Sequence, residues 1–180
     1  MTVRTILAVF CYYETMSRLI IIRGNSGSGK SSVALRLRRE MGYGTMLIPQ
    51  DVVRRDIIRV SDDIDNPAIQ LIEDIARYGK SISYDVIIEG ILGKEKYGDM
   101  FKRLSSVFDR TYTFYFDVSF EETLRRHELK KDKRNEYGEK EMKEWWLEND
   151  ILDTAEEILI PESLTEDETL KLITKALQEN

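Results

Sequence analysis

"LIIIRGNSGSGKSSVALRLRREM", residues 19–41, is the stretch that decides the fold. Its first four residues form a short apolar run rich in β-branched side chains, which is typical of a strand buried on both faces. A loop with glycines at positions 24, 27 and 29 follows, and then a segment in which apolar residues alternate with arginines. That segment is expected to be a helix with one packed face and one solvated face. The stretch therefore predicts a strand, a glycine-rich loop and a helix in immediate succession.

The loop matches the motif G-x-x-x-x-G-K-[ST] at every fixed position. Glycines let the backbone curl so that successive N–H groups point into one concavity, and the following helix adds its own unpaired N–H groups. Within this concavity, Lys30 is expected to reach the β- and γ-phosphates of ATP during catalysis, and the Ser31 hydroxyl to hold Mg²⁺. The alternative, a glycine-rich turn without a ligand, is disfavoured by the flanking strand and helix. The predicted ATP-binding residues are Gly24, Asn25, Ser26, Gly27, Ser28, Gly29, Lys30, Ser31 and Ser32.

The composition narrows the class of protein. The chain has 180 residues, within the usual range for one domain, of which 42% are hydrophobic and 33% charged. A net charge of -6 argues against nucleic acid as the main partner. The single cysteine, Cys11, cannot form an intramolecular disulfide, which favours the reducing cytoplasm.

Residues 1–15 are predicted to be an N-terminal extension that is loosely attached to the domain. Their apolar run, residues 6–13, is too short for a membrane span, which needs about 20 apolar residues. It also lacks the small-residue cleavage site of a signal peptide. We therefore expect Met16 to open the functional chain and residues 16–180 to form one domain; the alternative is that the extension adds an edge strand.

Beyond the glycine-rich loop, strand and helix patterns alternate, which predicts a mostly parallel sheet covered on both faces. The expected strands are 19–22, 45–50, 84–90, 110–118 and 156–161. The expected helices are 32–41, 51–60, 67–80, 97–108, 120–131, 139–150 and 164–177. Ser119 is expected to cap the helix that follows it, with Glu122 as its capping-box partner. Ligands of such sheets bind beyond the carboxyl ends of the strands, so the residues that follow each strand are the candidate site residues.

Asp51, Arg54 and Arg55 follow the second expected strand. A carboxylate at this edge can accept the proton of a hydroxyl that attacks the γ-phosphorus, so Asp51 is the predicted base and a substrate contact. The alternative for Asp51 is a plain helix N-cap. At least one of the two arginines is expected to contact the substrate; the alternative is that both are surface cations.

Glu89 ends the third expected strand, in "VIIEG". An acid that follows an apolar run at this place commonly supports Mg²⁺ through water, although Asp is the usual residue there. Glu89 is therefore predicted to support the metal together with Ser31. The alternatives are that Glu89 is a second candidate for the base, or that it contacts the substrate. An idle carboxylate at a buried strand end is disfavoured, because its burial without a partner is costly.

A basic segment follows the fourth expected strand, at the place where a lid would close over the phosphates. We expect a short lid over about residues 125–147, in which Arg126 and Arg134 neutralise charge that develops on the transferred group. The alternative is a solvated helix face. His127 is expected to be exposed rather than catalytic.

Two adjacent tryptophans lie near the end of this segment. Trp145 and Trp146 are expected to pack the helix that flanks the lid, with Met142 on the same side. The alternative for one of them is stacking against a ring in the substrate.

Together these residues resemble the small P-loop kinases of the nucleoside and nucleotide kinase group, near chloramphenicol phosphotransferase-like and zeta-toxin-like kinases. The resemblance runs from about residue 19 to 177 and rests on "GNSGSGKSS", "QDVVRR", "VIIEG" and the basic lid. It implies a three-layer α/β sandwich with five parallel strands in the order 2-3-1-4-5 and a short helical lid. It also implies that Asp51 is the general base and that Arg126 contacts adenine or the phosphates.

These patterns predict an ATP- and Mg²⁺-dependent phosphotransferase that acts on a hydroxyl group of a small molecule. The acceptor would be a nucleoside, a sugar or an antibiotic-like compound, and the protein a monomer or homodimer that is not bound to a membrane. One alternative is a toxin-like kinase of a nucleotide sugar. The other is a nucleotide-dependent switch, which would bind a protein partner and lack an acceptor cavity.

Overall fold

The fold is a five-stranded, fully parallel sheet with helices on both faces, in a computed structural model that describes residues 16–129, 137–152 and 157–179. The strand order β2-β3-β1-β4-β5 confirms the predicted order and the three-layer arrangement. The strands are β1 Arg18–Gly24, β2 Thr45–Pro49, β3 Asp85–Gly90, β4 Arg110–Asp117 and β5 Glu157–Pro161. The α-helices are α1 Lys30–Met41, α2 Pro67–Ser81, α3 Lys94–Ser105, α4 Phe120–Glu128, α5 Glu139–Glu144 and α6 Glu166–Gln178.

The central strand, β1, pairs with β3 on one side and β4 on the other, and its successive side chains point to opposite layers. Leu19 and Ile21 pack into the core that α2 and α3 cover. Ile20 and Ile22 pack into the core that α1 and α6 cover, together with the aromatic residues predicted to share one side of β4, Tyr112, Phe114 and Phe116. Because all five strands are parallel, their carboxyl ends meet at one edge of the sheet, and the glycine-rich loop lies there.

Residues 1–15 lie outside the described residues, so the loosely attached extension and a domain that begins at residue 16 stay predictions. Within the ranges that the structure describes, no helix is both long enough and apolar enough to cross a bilayer.

The segment after β2 differs from its prediction. In place of a helix over 51–60, the chain forms a π-helical turn over Val52–Ile57, closed by the bond from the Ile58 N–H to the Val53 carbonyl (3.2 Å). Asp51 precedes this turn with helical backbone angles and makes no capping hydrogen bond, so the N-cap alternative for Asp51 is wrong. Its carboxylate instead pairs with two arginines of the turn. Short π-helical turns are frequent at functional sites.

Two helix ends were also predicted at the wrong place. The helix expected over 139–150 ends at Glu144, and α3 begins at Lys94 rather than at residue 97. The Lys94 N–H donates to the Asp150 carboxylate (3.0 Å), so a distant residue satisfies the first turn of α3. Asn149 has a left-handed φ of +49°, which is incompatible with a continuing helix. Neither the contact of Lys94 with Asp150 nor the backbone angle of Asn149 can be predicted from the neighbouring residues in the sequence.

The cap of α4 is formed only in part as predicted. The Ser119 Oγ accepts the Glu122 N–H (3.4 Å), but the Glu122 carboxylate does not bond back to the backbone of Ser119. It pairs with Arg125 (2.6 Å) and Arg126 (2.7 Å) instead. The Ser119 N–H donates to Glu162 (2.9 Å), so the predicted capping-box partner is wrong and the residue in that role comes from the turn after β5.

Arg23, the residue before Gly24, is fully buried beneath the loop. Its guanidinium pairs with Asp150 and with Glu157 (3.1 Å), and it donates to the Leu92 carbonyl (3.2 Å). It also lies 5.0 Å from the centroid of the Tyr115 ring. This network joins the carboxyl end of β1 to the segment after α5 and to the start of β5, so it holds the base of the loop in place.

Arg23→Met is expected to lower the free energy of unfolding by about 3 kcal/mol, because the carboxylates of Asp150 and Glu157 lose their buried counter-charge. Arg36→Met is the matched control, since Arg36 is 37% exposed and pairs with Glu166 and Asp167 at the surface. We expect that control to change stability by less than about 1 kcal/mol. Urea denaturation of both variants measures the difference, and equal losses would contradict the structural role of Arg23.

Candidate functional site

The conformation of the loop between β1 and α1 depends on its glycines. Gly24, Gly27 and Gly29 have φ angles of +138°, +81° and +106°, in the region that side chains disfavour. A Cβ atom on Gly27 would lie 2.6 Å from the Thr123 carbonyl oxygen, and one on Gly24 would lie 2.8 Å from the Phe116 carbonyl oxygen. The loop is therefore seated tightly against α4 and β4, with its backbone N–H groups at the N-terminus of α1.

Lys30, the first residue of α1, is almost entirely buried within the loop. Its Nζ donates to the Asn25 carbonyl (2.6 Å) and to the Ser28 Oγ (3.3 Å). The ammonium group is thus held within the curve of the loop, where it can exchange these neutral partners for phosphate oxygens.

Ser31 and Glu89 meet across the edge of the sheet. The Ser31 Oγ donates to the Glu89 carboxylate (3.1 Å), and Glu89 is buried at the end of β3. A hydroxyl and a carboxylate are the hard oxygen ligands that Mg²⁺ takes, and this ion keeps several waters and needs few protein ligands. The two residues therefore fit a magnesium ion bound next to the loop.

Asp51 lies opposite the loop, beyond the end of β2, and its side chain is 53% exposed. Its carboxylate accepts from the Nη2 of Arg54 (3.1 Å) and pairs with the Nε of Arg55 (3.3 Å). A cleft of about 370 Å³ is lined by Asp51 and Arg55 together with Lys30, Ser31 and Glu89. The structure thus brings the candidate base, the candidate metal ligands and the loop lysine into one cleft.

A second cavity, of about 660 Å³, adjoins this cleft. Asp51, Arg55, Tyr137 and Trp145 line both, and Arg54 lines the second. The Arg54 side chain is only 12% exposed, and it also donates to the Val60 carbonyl (3.2 Å). Arg54 is therefore not an exposed surface cation, which was the alternative to a substrate contact. We call this space the acceptor cavity, because a substrate hydroxyl bound there would lie next to Asp51, the predicted base.

Arg126 lies on the other side of the loop. It donates to the Ser28 carbonyl (2.7 Å) and to the Glu162 carbonyl (2.9 Å), and so bridges the loop to the turn between β5 and α6. Glu122 orients it from within α4, and the guanidinium groups of Arg125 and Arg126 lower the pKa of this carboxyl to about 2. A third cleft, of about 460 Å³, lies between this turn and the loop. Arg134, the second predicted lid cation, lies outside the described residues.

His127 is buried, so its predicted exposure is wrong. Its ring stacks on that of Tyr137 (4.7 Å between centroids), and its Nε2 lies 3.0 Å from the Tyr137 carbonyl oxygen. The prediction failed because the neighbours of His127 in the sequence are charged, whereas His127 itself lies on the inward-facing side of α4.

The aromatic residues near α5 divide between packing and lining the site. Trp146 packs edge-on against Phe120 (5.2 Å), and Met142 is buried, as predicted. Trp145 contacts the Tyr137 ring (5.1 Å) and the guanidinium of Arg55 (5.6 Å). Trp145 therefore forms a wall of the acceptor cavity as well as packing against Tyr137.

Several residues of the site were not predicted. Gln50 and Asp62 line the acceptor cavity. Behind them the buried Tyr97 donates from its hydroxyl to Asp62 (2.9 Å) and accepts from Gln50 (2.9 Å). Burial and the neighbouring Asp62 charge raise the pKa of Tyr97, so this hydroxyl stays protonated and donates. Lys96 pairs with Asp62 from the other side (3.0 Å). These residues are up to 47 positions apart, and no local motif connects them.

Comparisons with other proteins identify the fold. No family model and no curated protein matches the sequence. An APS kinase of Mycobacterium tuberculosis, solved with AMPPNP and APS, is 14% identical with a TM-score of 0.72, over 91% of this chain and 99% of its own. A sugar kinase of Janibacter is 15% identical with a TM-score of 0.67, over 89% of this chain and 94% of its own. A gluconokinase of Sinorhizobium meliloti is 17% identical with a TM-score of 0.60, over 92% of this chain and 98% of its own. The chain therefore has the fold of the small P-loop kinases.

Proposed function

We propose that the protein transfers the γ-phosphoryl group of ATP, bound with Mg²⁺, to a hydroxyl group of a small molecule. The observation that carries this proposal is that two neighbouring spaces share one wall. Asp51, Arg55 and Trp145 line both the cleft that contains Lys30, Ser31 and Glu89 and the acceptor cavity. A triphosphate on the loop and a hydroxyl in the cavity would meet next to the Asp51 carboxylate.

The loop side of the site would hold the nucleotide. Backbone N–H groups from Gly24 to Ser32 and the N-terminus of α1 would bind the phosphates, with Lys30 turned toward the β- and γ-phosphates. Ser31 and Glu89 would hold Mg²⁺, which neutralises phosphate charge when it is bound. Arg126 borders the third cleft, which has room for the nucleoside, and it would contact the adenine or the phosphates there.

The opposite side would orient the acceptor. The attacking oxygen forms a bond to the γ-phosphorus as the bond from the phosphorus to the β-γ bridging oxygen breaks, and the hydroxyl proton passes to an Asp51 carboxylate oxygen. The two arginines that pair with Asp51 fix the orientation of its carboxylate. Phosphoryl transfer passes through a loose transition state, so a positioned carboxylate of modest basicity suffices as the base.

The acceptor cavity favours a kinase over a nucleotide-dependent switch, since a switch has no need of a second cavity next to the γ-phosphate. At about 660 Å³ the cavity has the size of a small-molecule site. Its lining combines charged side chains such as Asp62 and Lys96 with the ring of Trp145, which suits a sugar, a nucleoside or a nucleotide sugar. We further propose that the protein acts in the cytoplasm as a monomer or homodimer, without nucleic acid as its main partner.

A panel of hydroxyl-bearing metabolites, assayed for ATP consumption above the rate with water alone, tests this function. We expect one chemical class of metabolite to stimulate consumption in the presence of Mg²⁺. Stimulation by a protein partner and by no metabolite would favour the switch.

Glu89→Gln is expected to raise the Mg²⁺ concentration needed for half-maximal AMPPNP binding by about 10–100-fold, the usual effect of losing a group that supports a metal. Glutamine keeps the size of the side chain and removes the charge that attracts the cation. Calorimetric titration of AMPPNP at a series of Mg²⁺ concentrations measures the shift. An unchanged Mg²⁺ dependence would exclude Glu89 from the metal site.

A further inference from the structure

The wall of the acceptor cavity is attached directly to the phosphate loop. After α5 the chain runs through residues 145–152, which we call the strap, and its residues Trp145, Leu147 and Asp150 line the acceptor cavity. The same segment lies against the end of β1 and the start of α3, because Asp150 pairs with Arg23 and accepts the Lys94 N–H. A displacement of the strap would therefore change the shape of the cavity.

Asn25 makes the closest link between the loop and the strap. Its side-chain amide donates to the Leu147 carbonyl (2.8 Å), and its side-chain oxygen accepts the Leu147 N–H (2.9 Å). Asn25 is buried, and its side chain bonds both the N–H and the carbonyl of Leu147. A second loop residue, Ser26, lies with its Oγ 3.2 Å from the Tyr137 hydroxyl, on the chain that leads into α5.

The position of Asn25 in the loop motif leaves its side chain available for this contact. The motif requires glycines, a lysine and a serine or threonine, and backbone N–H groups bind the phosphates, so the side chain at position 25 is not needed for them. Its own carbonyl accepts from the Lys30 Nζ (2.6 Å). A turn of Lys30 toward bound phosphates would break this backbone contact and leave the side-chain contact with Leu147 in place.

We infer that Asn25 couples occupancy of the phosphate loop to the position of the strap, and so to the shape of the acceptor cavity. Asn25 is a positioning residue in this scheme, because its side chain faces the strap rather than the reacting atoms. The inference rests on the proposed function only in that the loop binds a triphosphate. Coupling of this kind would form the acceptor site fully only after ATP has bound, which limits transfer of the phosphate to water.

Tryptophan fluorescence reports on the strap directly, because the only two tryptophans of the chain are Trp145 and Trp146. AMPPNP with Mg²⁺ is the probe, so no acceptor is needed. We expect its binding to change the emission of the wild-type protein. At AMPPNP concentrations that saturate each protein, Asn25→Ala should lose about half or more of the wild-type emission change.

Asn149→Gly is the matched control. Asn149 is an exposed residue of the same strap with a φ of +49°, an angle that glycine adopts without strain. We expect this variant to keep the wild-type emission change. A full emission change in Asn25→Ala at saturating AMPPNP would overturn the inference, and so would an equal loss in Asn149→Gly.

Hydrogen exchange of the wild-type protein tests the coupling without a substitution. The Leu147 N–H donates its hydrogen bond to the Asn25 side-chain oxygen. The rate of hydrogen exchange at this amide should change when AMPPNP with Mg²⁺ is added. An unchanged rate for this amide would contradict the coupling. Failure of the wild-type protein to bind AMPPNP in calorimetry would contradict the proposed function instead, so the two failures are distinguishable.

Discussion

Lys30→Ala is expected to reduce ATP turnover by about 10³-fold or more while the protein stays folded. The ammonium group of Lys30 lies inside the loop, bonded to a carbonyl and a hydroxyl that phosphate oxygens can replace. Its removal takes away the only side-chain cation that the motif supplies to the transferred phosphate. The fold should survive, since the core around β1 and α1 consists of residues that this change does not touch.

Lys102→Ala is the control for Lys30→Ala, because the Lys102 side chain is 80% exposed on α3 and pairs only with its neighbour Asp99 among the described residues. Steady-state ATP consumption, with circular dichroism to establish folding, compares the two variants. We expect the control to keep wild-type turnover. Wild-type turnover in a folded Lys30→Ala protein would contradict the assignment of the loop.

Asp51→Asn is expected to reduce acceptor-dependent transfer by about 10²–10⁴-fold, the usual contribution of a positioned acid or base. Asparagine keeps the shape of the side chain and removes the charge that accepts the hydroxyl proton. ATP affinity should hardly change, because the loop and Lys30 lie on the opposite side of the cleft. Initial rates with the acceptor found in the metabolite panel measure the loss, and calorimetry with AMPPNP measures the affinity.

Two further variants separate the roles of the carboxylates. Asp99→Asn makes the same chemical change at a side chain that is 81% exposed on α3, and it should leave the rate unaltered. Glu89→Gln should lower the rate together with a shifted Mg²⁺ dependence. If Asp51→Asn keeps full transfer while Glu89→Gln loses it at an unchanged Mg²⁺ dependence, then Glu89 is the base.

The fold could be predicted from the sequence because its signals are local. The apolar run of β1, the glycines and the arginine-studded helix follow one another within 23 residues. The sheet order did not follow from these patterns and came from the resemblance to P-loop kinases. The same local signals pointed to Lys30, Ser31, Glu89 and Asp51, which the structure brings to one cleft.

The parts that sequence patterns missed depend on contacts between distant residues. Arg23 resembles a surface residue in the sequence, and its burial is explained only by Asp150 and Glu157. His127 lies among charged residues, yet it is buried beneath Tyr137. The contact between Asn25 and Leu147 joins residues 122 positions apart. Pattern and propensity carry no information about such pairs.

The fate of the γ-phosphate tests the central claim most directly. ATP labelled with ³²P at the γ-position is incubated with the protein, Mg²⁺ and the acceptor from the panel, and the products are separated by chromatography. The account predicts that the label appears in an organic phosphate ester, and that Lys30→Ala abolishes this product. Label that appears only as inorganic phosphate, at a rate that no acceptor changes, would contradict it.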